Sequence, residues 1–214
     1  MRIVAVLLPV LALTAAAPAR DWAAVASKTA TGAYVIGNPQ ARVKLIEYAS
    51  YTCSHCADFA NQSGPVLKDR MIRSGQVSLE FRHVVFNAVD LGAAVLARCA
   101  GPRNFAATTA RFYQTQDQWL ARASAFGQAN GPRLSALPPA KLLRALVDGA
   151  GLTPLVRLTP AAIDACFADK AEIDRITAMQ GDVGSTPTFF LNGKRLPPQT
   201  WATLEPQLRS LGAR

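Results

Sequence analysis

Cysteine, histidine and methionine are scarce in this chain, which narrows the chemistry it can carry. Its 214 residues include four cysteines, two histidines and three methionines. Four cysteines are too few for a disulfide-dense secreted scaffold, and three methionines form no Met-rich cluster of the kind that suits copper. No second Cys-x-x-Cys pair and no His pair follows at zinc-finger spacing, so the sequence predicts no resident metal.

Acidic side chains are also few, and the charge is unbalanced. Lys and Arg number 23 against 14 Asp and Glu, which gives a formal net charge of +9. The basic residues are scattered, with Lys194-Arg195 as the only adjacent pair, and no basic stripe is interleaved with aromatic residues. Because nucleic-acid binding requires such a cluster, we expect no nucleic-acid partner. A basic surface instead suits acidic partners or membrane headgroups.

Long apolar runs are absent except at the amino terminus. A short basic start at Arg2 is followed by an apolar stretch over 3–13 and by small residues up to Ala19. This order is typical of a secretory signal, and the run is shorter than the about 20 residues that a membrane-spanning helix needs. We therefore predict a signal peptide over 1–19, cleaved before Arg20, and a periplasmic mature protein. An uncleaved membrane anchor is the alternative.

The distribution of apolar residues predicts an α/β fold with a helical insertion. Half of the residues are apolar, which excludes intrinsic disorder, and the length suits one domain, with or without an insertion. Apolar runs predict strands over 33–36, 43–48, 77–86, 188–191 and 194–196. Helical spacing predicts helices from 54 onward and over 91–100, 104–122, 139–148, 160–176 and 201–211, with residues 20–30 as a flexible lead-in. The predicted units are a first core part over 20–87, a helical insertion over 88–180 and a second core part over 181–214.

The sequence Cys53-Ser54-His55-Cys56 follows a predicted strand and begins a predicted helix. Unpaired amides and the helix dipole stabilise an anion at a helix amino terminus, so a thiolate at Cys53 is favoured. Cys56, one turn further, is within reach for a disulfide, and His55 adds a donor or a positive charge beside the Cys53 sulfur. The motif thus predicts a redox-active pair whose stable thiolate makes the disulfide a good electron acceptor. Half of a zinc site and an inert structural pair stay open as interpretations, whereas Ala57 excludes c-type haem attachment.

Two segments resemble the DsbA-like thiol:disulfide oxidoreductases of the thioredoxin superfamily. The first runs from Gly37 through the strand Val43-Lys44-Leu45-Ile46-Glu47-Tyr48 to the cysteine motif, and the second is Gly184-Ser185-Thr186-Pro187-Thr188-Phe189-Phe190-Leu191-Asn192-Gly193. The resemblance implies a thioredoxin-like core sheet divided by the helical insertion. It also implies a disulfide donor for reduced secreted polypeptides, a membrane quinone-linked protein that reoxidises it, and no cofactor. We expect the protein to be a monomer.

The resemblance places a cis-proline loop at Thr186-Pro187. A cis bond there brings the Thr186 backbone beside Cys53, where an extended substrate can pair with it like an added strand. Ser54, a second candidate for substrate contact, stands where the family most often has proline, so the redox potential of this pair stays open. The candidate catalytic residues are Cys53, Cys56, His55 and Pro187.

Glu47 lies on the strand that leads to Cys53 and is a candidate proton relay. If its side chain points inward beneath Cys56, burial raises its pKa and lets it carry the proton of that thiol. The alternative is a solvated glutamate on a strand. His83 is expected to be a structural strand residue.

Cys99 and Cys166 lie on two different predicted helices of the insertion. Two unpaired buried thiols are hazards in an oxidising compartment, so we predict a structural disulfide between them, and some members of the resembling family carry a second bridge in this region. Two reduced core cysteines are the alternative.

Two other functions stay open at this point. A disulfide isomerase or reductase would use the same site; dimeric isomerases carry a long amino-terminal dimerisation domain, and the short stretch before the first predicted strand argues against that class. A periplasmic metal carrier would bind copper or zinc through Cys53, His55 and Cys56.

Overall fold

A computed structural model of the protein describes residues 20–214. The predicted signal peptide over 1–19 lies outside the described residues. Within residues 20–214, six strands form one sheet: β1 (Ala26–Lys28), β2 (Tyr34–Gly37), β3 (Val43–Ala49), β4 (Val77–His83), β5 (Thr188–Leu191) and β6 (Lys194–Arg195). Their order across the sheet is β1-β2-β4-β3-β5-β6, in which β3 and β4 are parallel and every other neighbouring pair is antiparallel.

Among the described residues, eight α-helices cover the sheet and build the insertion. They are α1 (Ser54–Ser63), α2 (Ala88–Cys99), α3 (Pro102–Gln114), α4 (Gln116–Ser135), α5 (Pro139–Gly149), α6 (Pro160–Ala168), α7 (Lys170–Ala178) and α8 (Trp201–Ser210). A π-helical segment, Gly64–Ile72, continues α1. None of the helices in the described part of the chain combines the length and the hydrophobicity needed to cross a bilayer.

The central strand β3 brings the site together. Val43 and Leu45 are buried beneath the covering helices, as the alternation in the sequence predicts. The strand lies between β4 and β5, and Tyr48 near its carboxyl end faces Thr188 at the start of β5. The loop after β3 and the loop before β5 therefore meet at one edge of the sheet. Helices α2–α7 enter the chain between β4 and β5, which confirms the predicted α/β class with a helical insertion.

Two predicted helices differ in the structure. The single helix expected over 104–122 is two helices, because the Thr115 hydroxyl donates to the Arg111 carbonyl oxygen and the helix breaks there. The second of them continues to Ser135 through two glycines and Pro132, since packing against α5 outweighs their low helix propensity. The helix expected over 160–176 is also divided, at Asp169, whose side chain accepts from the Glu172 N–H and caps α7.

The predicted flexible lead-in over 20–30 is wrong. It contains β1, which pairs with β2 in the register Ala26 to Ile36. The residues of β1 are Ala, Ser and Lys, which have weak strand preference. Backbone hydrogen bonds to the edge of the sheet therefore stabilise this strand.

Candidate functional site

Cys53 and Cys56 lie at the amino end of α1 in the dithiol form. Cys53 is the N-cap residue of the helix, in extended conformation, and is partly exposed, whereas Cys56 is completely buried. The Cys56 thiol donates to the Cys53 thiolate, and the Thr186 side chain and the backbone N–H groups of Cys56 and His55 add further donors. Together these contacts outweigh burial and lower the pKa of Cys53 from 9.0 to about 5.

The two thiols are therefore chemically unequal. The hydrogen bond to Cys53 raises the pKa of Cys56 far above its usual range, and burial and the nearby Glu47 carboxylate act in the same direction. Near neutral pH the reduced pair holds one thiolate, on the partly exposed sulfur, and one thiol, on the buried sulfur.

The loop that begins β5 faces this thiolate. The Thr186–Pro187 peptide bond is cis, and Cys53 Sγ lies 3.4 Å from the Thr186 carbonyl oxygen, to which it donates when it is protonated. The Thr186 hydroxyl is buried and makes no hydrogen bond to any other described residue, so it is free to donate to the thiolate. The structure thus brings together both segments that carry the family resemblance.

Glu47 points inward from β3, which excludes the interpretation as a solvated strand residue. Its side chain is buried, and its Oε1 atom has no hydrogen-bond partner in residues 20–214. Burial, and then the Cys53 thiolate, raise the pKa of Glu47 to about 8. A protonated carboxyl group is therefore present near the buried thiol at neutral pH.

The side chains of Ser54 and His55 are both exposed. His55 acts on the Cys53 sulfur through its backbone N–H, while its imidazole faces solvent and the groove described below. The donor expected from this histidine is thus its amide rather than its ring. His83 is completely buried in β4, and burial together with Arg98 holds its pKa well below the usual value.

Comparison with known proteins identifies the family. A family model described as thioredoxin matches residues 29–209. The chain belongs to the thioredoxin family. A provisionally named protein-disulfide oxidoreductase of Rickettsia conorii is 34% identical over 159 residues, which are 74% of this chain and 53% of that protein. The chain spans about half the length of this relative. A second provisionally named protein-disulfide oxidoreductase, from Rickettsia typhi, is 37% identical over 86 residues, which are 40% of this chain and 32% of that protein.

Solved structures show the same DsbA-type fold. A protein-disulfide isomerase of Novosphingobium aromaticivorans is 28% identical with a TM-score of 0.74, over 83% of this chain and 96% of that one. The alpha-DsbA1 protein of Wolbachia pipientis is 23% identical with a TM-score of 0.60, over 83% of this chain and 89% of that one. The thioredoxin-like core predicted from the two motifs is therefore confirmed.

This thioredoxin-family protein has an open groove beside the cysteines that sequence reasoning missed. The groove encloses about 680 Å³ and lies between α1, the cis-proline loop and the segment before α8. Its apolar lining includes Pro187, Leu196, Pro197 and Trp201. The consecutive prolines at 197 and 198, after the Asn-Gly turn, are the one signal in the sequence for an irregular segment here.

The remaining cysteines are joined. A disulfide between Cys99 and Cys166 links α2 to α6, with 5.9 Å between their Cα atoms. Within residues 20–214, no group of three or more His, Cys, Asp and Glu side chains is arranged to hold a metal ion.

Proposed function

We propose that this protein is a thiol:disulfide oxidoreductase that donates the Cys53–Cys56 disulfide to reduced secreted polypeptides. The observation that carries the proposal is the contrast between a partly exposed, low-pKa Cys53 and a buried, high-pKa Cys56 at one helix end. A stabilised thiolate favours the reduced pair and so makes its disulfide an oxidant. The provisional names of the Rickettsia relatives support the same chemistry.

The reaction proceeds in two exchanges. A substrate thiolate attacks Cys53 Sγ of the oxidised pair, the bond between the two cysteines breaks, and Cys56 leaves as a thiolate. A second substrate thiolate then attacks the substrate sulfur of the mixed disulfide, and Cys53 leaves as the stabilised thiolate. The substrate loses two electrons and gains a disulfide, while the protein takes up the two electrons as its dithiol.

Glu47 supplies the proton that the first exchange needs. Cys56 leaves into a buried space and is basic, so it must be protonated as the bond breaks. Glu47 is buried nearby and holds a proton up to about pH 8. This pairing of acid and leaving thiolate supports Glu47 as the proton relay.

Substrate binding uses the loop before β5 and the adjoining groove. The Thr186 backbone beside Cys53 suits an extended substrate segment that pairs with it. The groove next to it accepts an apolar substrate side chain, and the exposed Ser54 contacts the segment near the reacting sulfur.

Export, reoxidation and assembly complete the proposal. The protein acts in the periplasm after removal of residues 1–19, as a monomer and without a cofactor, since the disulfide itself carries the electrons. The DsbA-type fold supports reoxidation of the Cys53–Cys56 pair by a membrane quinone-linked protein.

A disulfide isomerase is the second candidate. The Novosphingobium protein, whose chain is matched over 96% of its length, is a protein-disulfide isomerase. An isomerase starts from the reduced pair and returns to it, whereas the oxidase consumes its disulfide.

Two substrates distinguish these functions. The oxidised protein is expected to convert a reduced polypeptide to its disulfide form stoichiometrically, whereas the reduced protein is expected to rearrange a scrambled one slowly. With the scrambled substrate, Cys56→Ser is expected to accumulate a mixed disulfide, because its Cys53 thiolate attacks a substrate disulfide and releases one substrate thiolate, and Cys53→Ser is expected to form none. Rapid rearrangement without net oxidation would instead identify an isomerase, and a mixed disulfide on Cys53→Ser would contradict the assignment of the attacked sulfur.

A further inference from the structure

The loop before Cys53 is held by the helical insertion. Gln116, the first residue of α4, is 3% exposed. Its Nε2 atom donates to the Tyr51 carbonyl oxygen at 2.8 Å and to the Cys53 carbonyl oxygen at 2.9 Å. Because both partners are acceptors, only the nitrogen side of the amide can face them, which fixes the orientation of the side chain.

Gln116 occupies a position where an apolar side chain would be expected. The next two buried positions of α4 are Trp119 and Ala123, three and seven residues later, on the same helical face. Asp117 and Gln118, the next two residues, are exposed. A buried polar side chain on a core face is costly unless its hydrogen bonds are made, and here they are made to the residue that carries the reactive sulfur.

Other residues of the insertion hold the same loop but do not contact Cys53. Asp90 of α2 accepts hydrogen bonds from the Ser50 hydroxyl at 2.6 Å and from the Tyr51 N–H at 2.9 Å. The Tyr113 hydroxyl of α3 donates to the Ser50 carbonyl oxygen at 3.2 Å. Gln116 differs from both because its amide reaches the backbone of Cys53 itself.

This contact acts on the part of Cys53 that orients its sulfur. The Cys53 carbonyl oxygen also accepts the Ala57 N–H at 3.2 Å, in the first turn of α1. A second donor, from Gln116, fixes the peptide group between the loop and the helix. The direction of the Cys53 side chain toward the Thr186 carbonyl oxygen and the helix amides depends on that peptide group.

We propose that Gln116 is a positioning residue through which the helical insertion holds Cys53 in the geometry for thiol–disulfide exchange. This role of Gln116 rests on the function proposed above, because it concerns the reactivity of Cys53 in that function. The insertion is then part of the redox site.

The test compares Gln116→Met with Gln118→Met in the full chain. Methionine keeps the length and shape of the side chain and removes both N–H groups, and Gln118 is an exposed neighbour on the same helix. Gln116→Met is expected to raise the pKa of Cys53 by about 0.5 or more and to shift the equilibrium with glutathione about threefold or more toward the disulfide form of the protein. Gln118→Met is expected to change neither quantity.

A purely structural role would give a different result. Gln116→Met would then lower the melting temperature while the thiolate titration and the glutathione equilibrium stayed at the wild-type values, and the proposal would be overturned. The two proposals are tested by different measurements. The oxidase function is tested by the Cys53 titration of the wild-type protein, and the role of Gln116 is tested by the difference between the variants.

A measurement on the wild-type protein covers the case in which Gln116→Met does not fold. The side-chain amide resonances of Gln116 are expected to titrate in NMR spectra of the reduced protein with the midpoint of Cys53. Those of Gln118 are expected to show no such transition. A Gln116 amide that does not respond to ionisation of Cys53 would contradict the coupling.

Discussion

Cys53 Sγ lies 3.4 Å from the carbonyl oxygen of Thr186, although 133 positions separate the two residues in the chain. The contact arises because β3 and β5 are antiparallel neighbours, so the end of one strand meets the start of the other. The reactive sulfur and the backbone edge suited to an extended substrate therefore lie side by side.

The reduced protein is expected to show a thiolate absorbance transition with a midpoint near pH 5, because donors surround Cys53. Cys56→Ala removes the principal donor and is expected to raise this midpoint, whereas Cys53→Ser is expected to abolish the transition. An ultraviolet titration of the three proteins measures it. A wild-type midpoint near 9 would contradict the oxidase assignment.

The same lowered pKa makes the stability of the reduced protein depend on pH. The contribution of Cys53 is present above the pKa of a free thiol and is lost as the pH falls through about 5. The reduced form is therefore expected to become less stable relative to the oxidised form from pH 9 to pH 5. Denaturant unfolding of both forms across this range checks the direction.

Glu47→Gln is expected to slow the first exchange by about tenfold or more, because glutamine cannot give a proton to the leaving Cys56 thiolate. The wild-type rate profile is expected to bend where Glu47 ionises, at a pH that burial holds above the ordinary glutamate range, and that of the variant is not. Stopped-flow reduction of the oxidised protein by a small thiol gives both profiles. Glu80→Gln, on β4 and paired with Arg82, is the matched control.

The raised pKa of Glu47 also predicts a gain in stability for this variant. Its contribution to wild-type stability is present below pH 4.5 and is lost as the pH rises through about 8. Glu47→Gln is therefore expected to be more stable than the wild type at pH 8.5, by about 1 kcal/mol or more. Equal unfolding midpoints for the two proteins at that pH would show that Glu47 is hydrated.

Removal of the Cys99–Cys166 disulfide is expected to destabilise the protein by about 2–4 kcal/mol, because the bridge closes a long loop in the unfolded chain. The double variant Cys99→Ala/Cys166→Ala is compared with Cys53→Ser/Cys56→Ser, which keeps this disulfide. Guanidinium unfolding measures the difference. Unchanged stability of the first variant would mean that packing between α2 and α6 suffices.

Leu196→Asp is expected to lower kcat/KM for a peptide substrate by about tenfold or more, because it places a charge in the apolar groove. The rate with a small thiol is expected to stay at the wild-type value, since that reaction needs only the sulfur. Leu211→Asp, an exposed leucine outside the groove, is the control. An equal loss with both substrates would indicate damage to the site rather than to the groove.

The sequence predicts much of the site, because two short motifs contain most of its residues. The strand before Cys53 and the helix after it are local features, and Thr186-Pro187 was found from its flanking pattern. Gln116 and the groove at Trp201 were missed because each depends on contacts between distant segments. The sequence is compatible with Glu47 as a proton relay and as a solvated strand residue, and only its burial in the structure separates the two.

The sequence alone determined that two cysteines stand at a strand–helix junction, since periodicity and helix dipoles are local properties of the chain. It also determined the α/β class, through the order of apolar patterns. Only the tertiary structure decided which sulfur is exposed, how Glu47 is buried and which residue of the insertion binds Cys53. These properties arise when segments that are distant in the sequence pack together and exclude water, so a local sequence pattern does not predict them.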